Sequence, residues 1–320
     1  MSIGRASLPF DSKSFLKEWG LLLAFLVLFF AFSVTSPYFL TVENVFNILR
    51  QMSVTAILAF GMTFVISSAQ IDLSVSAVVA LAGVTVAALI KVYPLWLCLI
   101  IVLGEGMFIG FIQGLLVSRQ RIPAFLLTLA TSGILRGVAF IYTQGRPIYI
   151  GSEIFRAIGR GFIGMVPIPV VIMAVLWFFS YFVLTQTRFG KYVLVVGESQ
   201  EVARLSGINV VRILTLVFVL HGLLGAIGGI VMASRVGAGS PQIATGEELE
   251  VISAVILGGT NLFGGEGTLV GTLLGAMVIS TLMNGMTLLN ISPYVQMVVR
   301  GSVILGAVWL NVMKYSYDRK

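Results

Sequence analysis

Apolar runs long enough to cross a lipid bilayer recur along this chain from Gly20 to Val312. A spanning helix needs about 20 mainly apolar residues. Backbone amides in hydrocarbon find no water to bond, so only helices and closed barrels cross it. These runs are long and unbroken and lack period-two alternation, which selects helices. Soluble proteins carry roughly 25% charged residues, whereas charged types make up 10% of these 320 residues and apolar types 58%. Most of the surface must therefore face lipid. The fold class is all-α: a polytopic membrane helix bundle, a single transmembrane domain over residues 1–320.

Breaks at Pro, Gly and charge clusters mark about ten spans, at 20–36, 45–69, 73–91, 94–117, 122–143, 166–185, 212–233, 248–263, 267–289 and 293–313. The short 248–263 stretch also fits a broken helix. The basic start of the chain and the apolar run Leu21 to Phe32 mimic a secretory signal. Ser36-Pro37-Tyr38 follows rather than a cleavage site, so this run is expected to stay as the first span. An even count leaves both ends in one compartment. With both ends inside, Arg5, Lys13, Lys17, Arg119, Arg121, Arg188, Lys191, Arg204, Arg212, Lys314, Arg319 and Lys320 share the cytoplasmic side, a majority of the 20 Lys and Arg. That satisfies the positive-inside rule. Residues 1–19 are then a cytoplasmic segment and 186–211 a cytoplasmic loop. The 144–165 loop, with Arg146, Arg156 and Arg160, argues the other way.

Two stretches resemble each other. Asp72–Gly83 laid over Glu248–Gly259 matches at five of twelve positions, and the copies enter the membrane from opposite sides. An inverted internal repeat follows, with the halves related by an axis in the membrane plane. Each half also carries glycines four apart, Gly106, Gly110 and Gly114, then Gly267, Gly271 and Gly275. That spacing puts them on one helix face, where another backbone can approach closely.

Nothing in the chain powers transport. No G-x-x-x-x-G-K-[ST] phosphate loop occurs, and few ionisable residues lie within the spans to relay protons. No His/Asp or Ser/Lys pair stands out to make an intramembrane enzyme. The polar stretch from Thr185 to Arg212 is suited to pressing against another protein. Within it, Ser199 or Glu198 is placed to cap a short helix and Gly207 to end it.

Further along, ordered motifs accumulate. Gly61-Met62-Thr63-Phe64-Val65-Ile66 precedes Ile71-Asp72-Leu73-Ser74-Val75, followed by Ile122-Pro123-Ala124-Phe125, Leu135-Arg136-Gly137 and Thr187-Arg188-Phe189-Gly190. Ala203-Arg204-Leu205-Ser206-Gly207-Ile208-Asn209-Val210, Leu257-Gly258-Gly259-Thr260-Asn261-Leu262-Phe263-Gly264-Gly265 and Leu289-Asn290-Ile291-Ser292-Pro293 complete the series. Taken together, from about residue 36 to 313, the chain resembles the membrane permease subunits of bacterial ABC sugar importers of the ribose, arabinose and xylose type. It departs from them in Ala69-Gln70, where two glycines are common, and in Ser76, where glycine is frequent.

The resemblance implies a multi-pass protein of the bacterial inner membrane that pairs with a second permease, identical or different. Its partners would be cytoplasmic ABC ATPase subunits, which hold ATP and Mg, and an extracytoplasmic sugar-binding protein. No cofactor in this chain and no nucleic acid are implied. The loop segment becomes the motor-coupling element, comprising Glu198, Ser199, Gln200, Glu201, Ala203, Arg204, Leu205 and Gly207. The expected function is import of a monosaccharide, most simply a pentose such as ribose. A sugar-derived signal, a nucleoside, or ion-coupled secondary transport are the alternatives.

Side-chain chemistry supplies further candidates. Thr63, Ser67, Ser68, Gln70, Asn261 and Asn284 offer hydroxyls and amides suited to lining a sugar path, or to bridging helices. Glu247, Glu248 and Glu250 form an acidic patch expected to meet basic groups of the binding protein. Arg136 and Arg300 are expected to snorkel to headgroups or meet partner acids. Asp72 reads as a cap for the third span, Glu105 as a group facing a polar interior, and His221 as a packing donor without an acid partner. Cys98, alone, forms no intrachain disulfide.

Overall fold

The computed structural model describes residues 12–318, with side chains over 20–313. Residues 1–11, the side chains of the rest of the expected cytoplasmic segment 1–19, and Lys314, Arg319 and Lys320 lie outside that description. The chain runs α1 (Ser12–Thr35), α2 (Val42–Ser67), α3 (Val75–Leu89), α4 (Leu95–Arg119), α5 (Ala124–Thr143), β1 (Ile148–Tyr149), α6 (Glu153–Arg160), β2 (Phe162–Ile163), β3 (Val166–Pro167) and α7 (Ile168–Gln186). It continues with α8 (Arg188–Glu198), α9 (Gln200–Leu205), α10 (Val210–Val236), β4 (Ala238–Gly239), α11 (Glu247–Leu257), α12 (Leu269–Leu288) and α13 (Pro293–Asp318). Two-residue strands pair β1 with β4 and β2 with β3, antiparallel.

Each expected span holds a helix, but ten full-length spans is too many. Among the described residues, seven helices are long and apolar enough to cross a membrane: α2, α4, α5, α7, α10, α12 and Pro293–Met313 of α13. Gly20–Thr35 and Val75–Leu89 are shorter apolar helices. The stretch expected at 248–263 is helical over only 11 residues. At about 1.5 Å per residue that covers roughly half of a 30 Å core. Glycine stops it: Gly259, Gly264 and Gly265 all take positive φ, at 90°, 87° and 81°. Parts of the non-helical backbone that follows pack against protein, with Gly258 against Gly271 and Gly264 against Ala69, the kind of cover that irregular backbone needs at membrane depth.

α2 is the central pillar, buried without interruption from Met52 to Ser68. Around it the packing repeats. α10 packs on α4 and α3, α2 packs on α12 and α11, α3 packs on α5 as α11 does on α13, and α2 meets α10. Exchanging α2 with α10, α3 with α11, α4 with α12 and α5 with α13 maps this pattern onto itself. Gln70 beyond the end of α2, Val117 near the end of α4 and Val210 at the start of α10 line one cavity, so α2 and α10 run in opposite directions. This is the arrangement an inverted repeat requires. The glycine runs work inside the bundle. Gly106, Gly110 and Gly114 lie against Gly222, Phe218 and Thr215 of α10, while Gly267, Gly271 and Gly275 lie against Ser67, Gly258 and Ala254.

Two of the three arginines of the 144–165 loop, Arg156 and Arg160, have local work. Arg160 donates to the carbonyls of Arg235 and Val236 at the end of α10, at 2.6 and 2.9 Å. Arg156 pairs with Glu153 at 2.8 Å. Cations at a helix C-terminus satisfy its last carbonyls, so these charges close a helix and say little about topology.

Candidate functional site

α8 and α9 fold from local signals. Thr187 caps α8, its hydroxyl accepting from the Gly190 amide at 3.2 Å. Ser199, not Glu198, caps α9 and accepts from the Val202 amide at 3.3 Å. Gly207, at φ 79°, turns the chain out of the helix. Its amide bonds the Arg204 carbonyl and that of Ile208 the Ala203 carbonyl. Only Ala203 of α9 is buried. Glu198, Gln200, Glu201 and Arg204 face outward with Val202 and Leu205, the latter 82% exposed. Val202 and Leu205 stand one turn apart, an apolar pair ringed by charges.

The inner side of this element is fixed to the bundle. Val193 and Val196 are buried in the core around α2, and Phe189 stacks on Phe64 with ring centroids 6.3 Å apart. At the last turn of α8 three backbones converge. The Gly265 amide donates to the Ser67 carbonyl at 3.0 Å. A Cβ at Gly197 would overlap both of those groups, and Gly264 sits against Gly197 and Ala69. The end of α2, the end of α8 and the glycine-rich segment after α11 thus share one junction.

Beside α9 lies a cavity of about 690 Å³ bounded by the α4–α5 and α9–α10 connections. Gln70 is the one sugar-path candidate among its lining residues. The other candidates have partners within the subunit. Thr63 and Thr272 hydroxyls bond at 2.8 Å, joining α2 to α12. Ser67 reaches the Glu266 carbonyl at 3.4 Å, and Ser68 bonds back to Val65. Asn261 accepts from the Phe263 amide within its turn, and Asn284 donates to Asn44 at 3.0 Å. Thr63, Ser67 and Asn284 thus join separate elements, while Ser68 and Asn261 bond locally.

Glu247, Glu248 and Glu250 sit in the first turn of α11, Glu247 and Glu248 partly exposed. Glu250 is buried and paired with Arg300 at 2.6 Å, and Glu247 accepts from the Thr55 hydroxyl at 2.7 Å. The first turn of α11 is wedged between α2 and α13, and carboxylates suit the positive end of a helix. Arg136 likewise turns inward, to the Pro241 carbonyl at 2.7 Å, Thr245 at 3.1 Å and Ser76 at 3.3 Å.

One buried network escaped the sequence reading. Asp72 accepts from the amide and hydroxyl of Ser74, at 2.6 and 2.7 Å, and Gln113 donates to the Ser74 hydroxyl at 2.7 Å. His221 Nε2 lies 3.7 Å from the Asp72 carboxylate. His221 therefore lies near an acid, 149 positions away, that local spacing could not reveal, without a hydrogen bond to it. Asp72 supports the cap residue Ser74 instead of capping α3 itself. Asp72→Ala leaves the amide and hydroxyl of Ser74 without their buried acceptor and is expected to cost about 2 kcal/mol or more. Thermal unfolding of the purified variant would measure it, and an unchanged midpoint would refute the role. Glu105 bonds Thr85 at 3.2 Å, joining α4 to α3.

Residues 44–308 match the family described as branched-chain amino acid transport system / permease component. The chain is 42% identical over 308 residues to the ribose import permease protein of Escherichia coli K12, spanning 95% of this chain and 96% of the relative. Against the ribose import permease protein of Haemophilus influenzae identity is 40% over 304 residues, 93% and 94% of the two chains. Against the L-arabinose transport system permease protein of Escherichia coli K12 it is 38% over 323 residues, 100% and 98%. No solved structure matches the chain.

Proposed function

The chain belongs to the permease-component family of branched-chain amino acid transport systems, and on that premise we propose that it passes a pentose, most simply ribose, through an ATP-driven importer. It is a transport subunit, and ATP is hydrolysed elsewhere. The family description alone would suggest an amino acid cargo. Identities of 38–42% along nearly the whole chain to ribose and arabinose permeases favour a sugar. That near-complete match carries the reading.

In this reading α9 is the cytosolic handle gripped by the ATPase, which binds ATP and Mg. A second permease copy, or a different permease, completes the pathway, and a sugar-binding protein delivers cargo to the opposite face. The charge distribution supports the orientation: Arg119, Arg121, Arg188, Lys191, Arg204 and Arg212 all fall in the connections at the α8–α9 end. Closure of the motor domains moves α9 and α8. The Gly197–Ser67–Gly265 junction passes the displacement to the start of α3 and the end of α11. Short helices flanked by irregular backbone can tilt at lower cost than unbroken spans, because few helical hydrogen bonds must break. The permease need not bind sugar tightly, since the delivering protein supplies affinity.

Reconstitution with the cognate ATPase and binding protein, tested on labelled ribose, arabinose, xylose, a nucleoside and leucine, decides the cargo. ATP-dependent uptake of ribose that survives collapse of the membrane potential is expected. Leucine uptake, or uptake driven by potential without ATP, would overturn the reading. Labelling of a cysteine at position 191 by an impermeant reagent from outside intact cells would overturn the orientation.

A further inference from the structure

We propose that the cavity beside α9 is a binding site for an anionic phospholipid of the membrane leaflet on that side. It holds about 690 Å³, a size common for small-molecule sites. Its polar wall carries three guanidinium groups, from Arg119 and Arg121 after α4 and from Arg204 of α9. None of them makes an ion pair among the described residues, and no Asp or Glu lines the cavity. Three unneutralised cations in one concavity repel each other, and a bound anion removes that cost. Guanidinium forks match phosphate oxygens in particular.

The opposite wall is apolar, formed in part by Ile122, Val211 and Leu214. Further along α4, Phe111 and Ile112 are 45% and 41% exposed, an apolar surface on the same helix as Val117 and Ser118 of the cavity. A free anion has no use for such a wall, whereas an acyl chain does. A phosphate on the arginines with its tail laid along α4 and α10 satisfies both halves of the cavity. Basic pockets between helices at the cytoplasmic surface are suited to such headgroups. The wall also includes Gln200 and Gly207, at the two ends of α9, so occupancy would brace that helix. The site does not depend on what moves α9.

Native mass spectrometry of the purified full chain, titrated with dioleoyl phosphatidylglycerol and separately with dioleoyl phosphatidylcholine, tests the proposal. The anionic lipid is expected to bind one site about a hundredfold more tightly, at roughly a factor of five per arginine. The triple variant Arg119→Gln, Arg121→Gln, Arg204→Gln should lose this preference, and Arg146→Gln, outside the cavity, should keep it. Val211→Trp fills the apolar wall without touching charge and should weaken phosphatidylglycerol while sparing inorganic phosphate. Inorganic phosphate competing as well as the lipid would overturn the lipid assignment in favour of a free anion. A triple variant that keeps the lipid preference but no longer holds the ATPase subunit would overturn it in favour of a protein contact.

Discussion

Gly197→Ala is expected to abolish ATP-driven uptake while the chain still folds into the membrane and the motor still hydrolyses ATP. The added methyl would collide with the Ser67 carbonyl and the Gly265 amide, which bond each other at 3.0 Å. Neither is a flexible side chain that can turn aside, so α8 must lift off the end of α2 or the Ser67–Gly265 bond must open. Overpacking of this kind costs about 1–3 kcal/mol, a factor of roughly 5–150 in any equilibrium that runs through the junction. Gly104→Ala is the matched control, because nothing lies within 4 Å of a Cβ there. In α4 that change improves helix propensity by up to about 1 kcal/mol and should leave uptake intact. Uptake and ATPase rates in proteoliposomes measure both. If Gly197→Ala imports as well as the parent chain, force does not travel through this junction.

The reason Gly197 was not visible in advance is instructive. Sequence placed the short helix α9, whose two punctuation marks, Ser199 and Gly207, act locally through hydrogen bonds within four residues. Local signals survive in one dimension. Gly197 matters because Ser67 and Gly265 come from elsewhere in the chain, and proximity of that kind has no spacing rule. The same division runs through the fold. Apolar runs located every long helix, since burial in lipid is a property of each segment alone. The early stop of α11 was half legible, because Gly258-Gly259 and Gly264-Gly265 announce backbone freedom but not how it is used. The inverted repeat was written faintly in Asp72–Gly83 and Glu248–Gly259, and it is plain in how the helices pack. Polar residues misled most. Three glutamates within four positions read as an acidic outer patch for a partner, because sequence cannot tell that Arg300 and Thr55 wait across a helix interface.

That misreading yields the second large effect. Arg300→Met is expected to destabilise the isolated chain more than any other single change in this region, by about 3–5 kcal/mol. It leaves the Glu250 carboxyl buried without its partner, beside Glu247 and Glu248, so the group must either take up a proton or stay as an unpaired buried charge. Glu250→Met should cost less, because Arg300 retains Glu247 as a counter-charge. The double variant Glu250→Met, Arg300→Met should fall well short of the sum of the singles, since a buried pair replaced by apolar groups loses its attraction and its desolvation penalty together. Thermal unfolding midpoints of the purified chain in detergent, without binding protein or ATPase, give the ordering. The isolated chain is the discriminating sample. Were these glutamates a docking patch for an outside protein, all three variants would unfold like the parent and differ only when that partner is added. Additive losses in the double variant would instead dissolve the pair into two unrelated contributions, and the first turn of α11 would have to be held by Thr55 and helix packing alone.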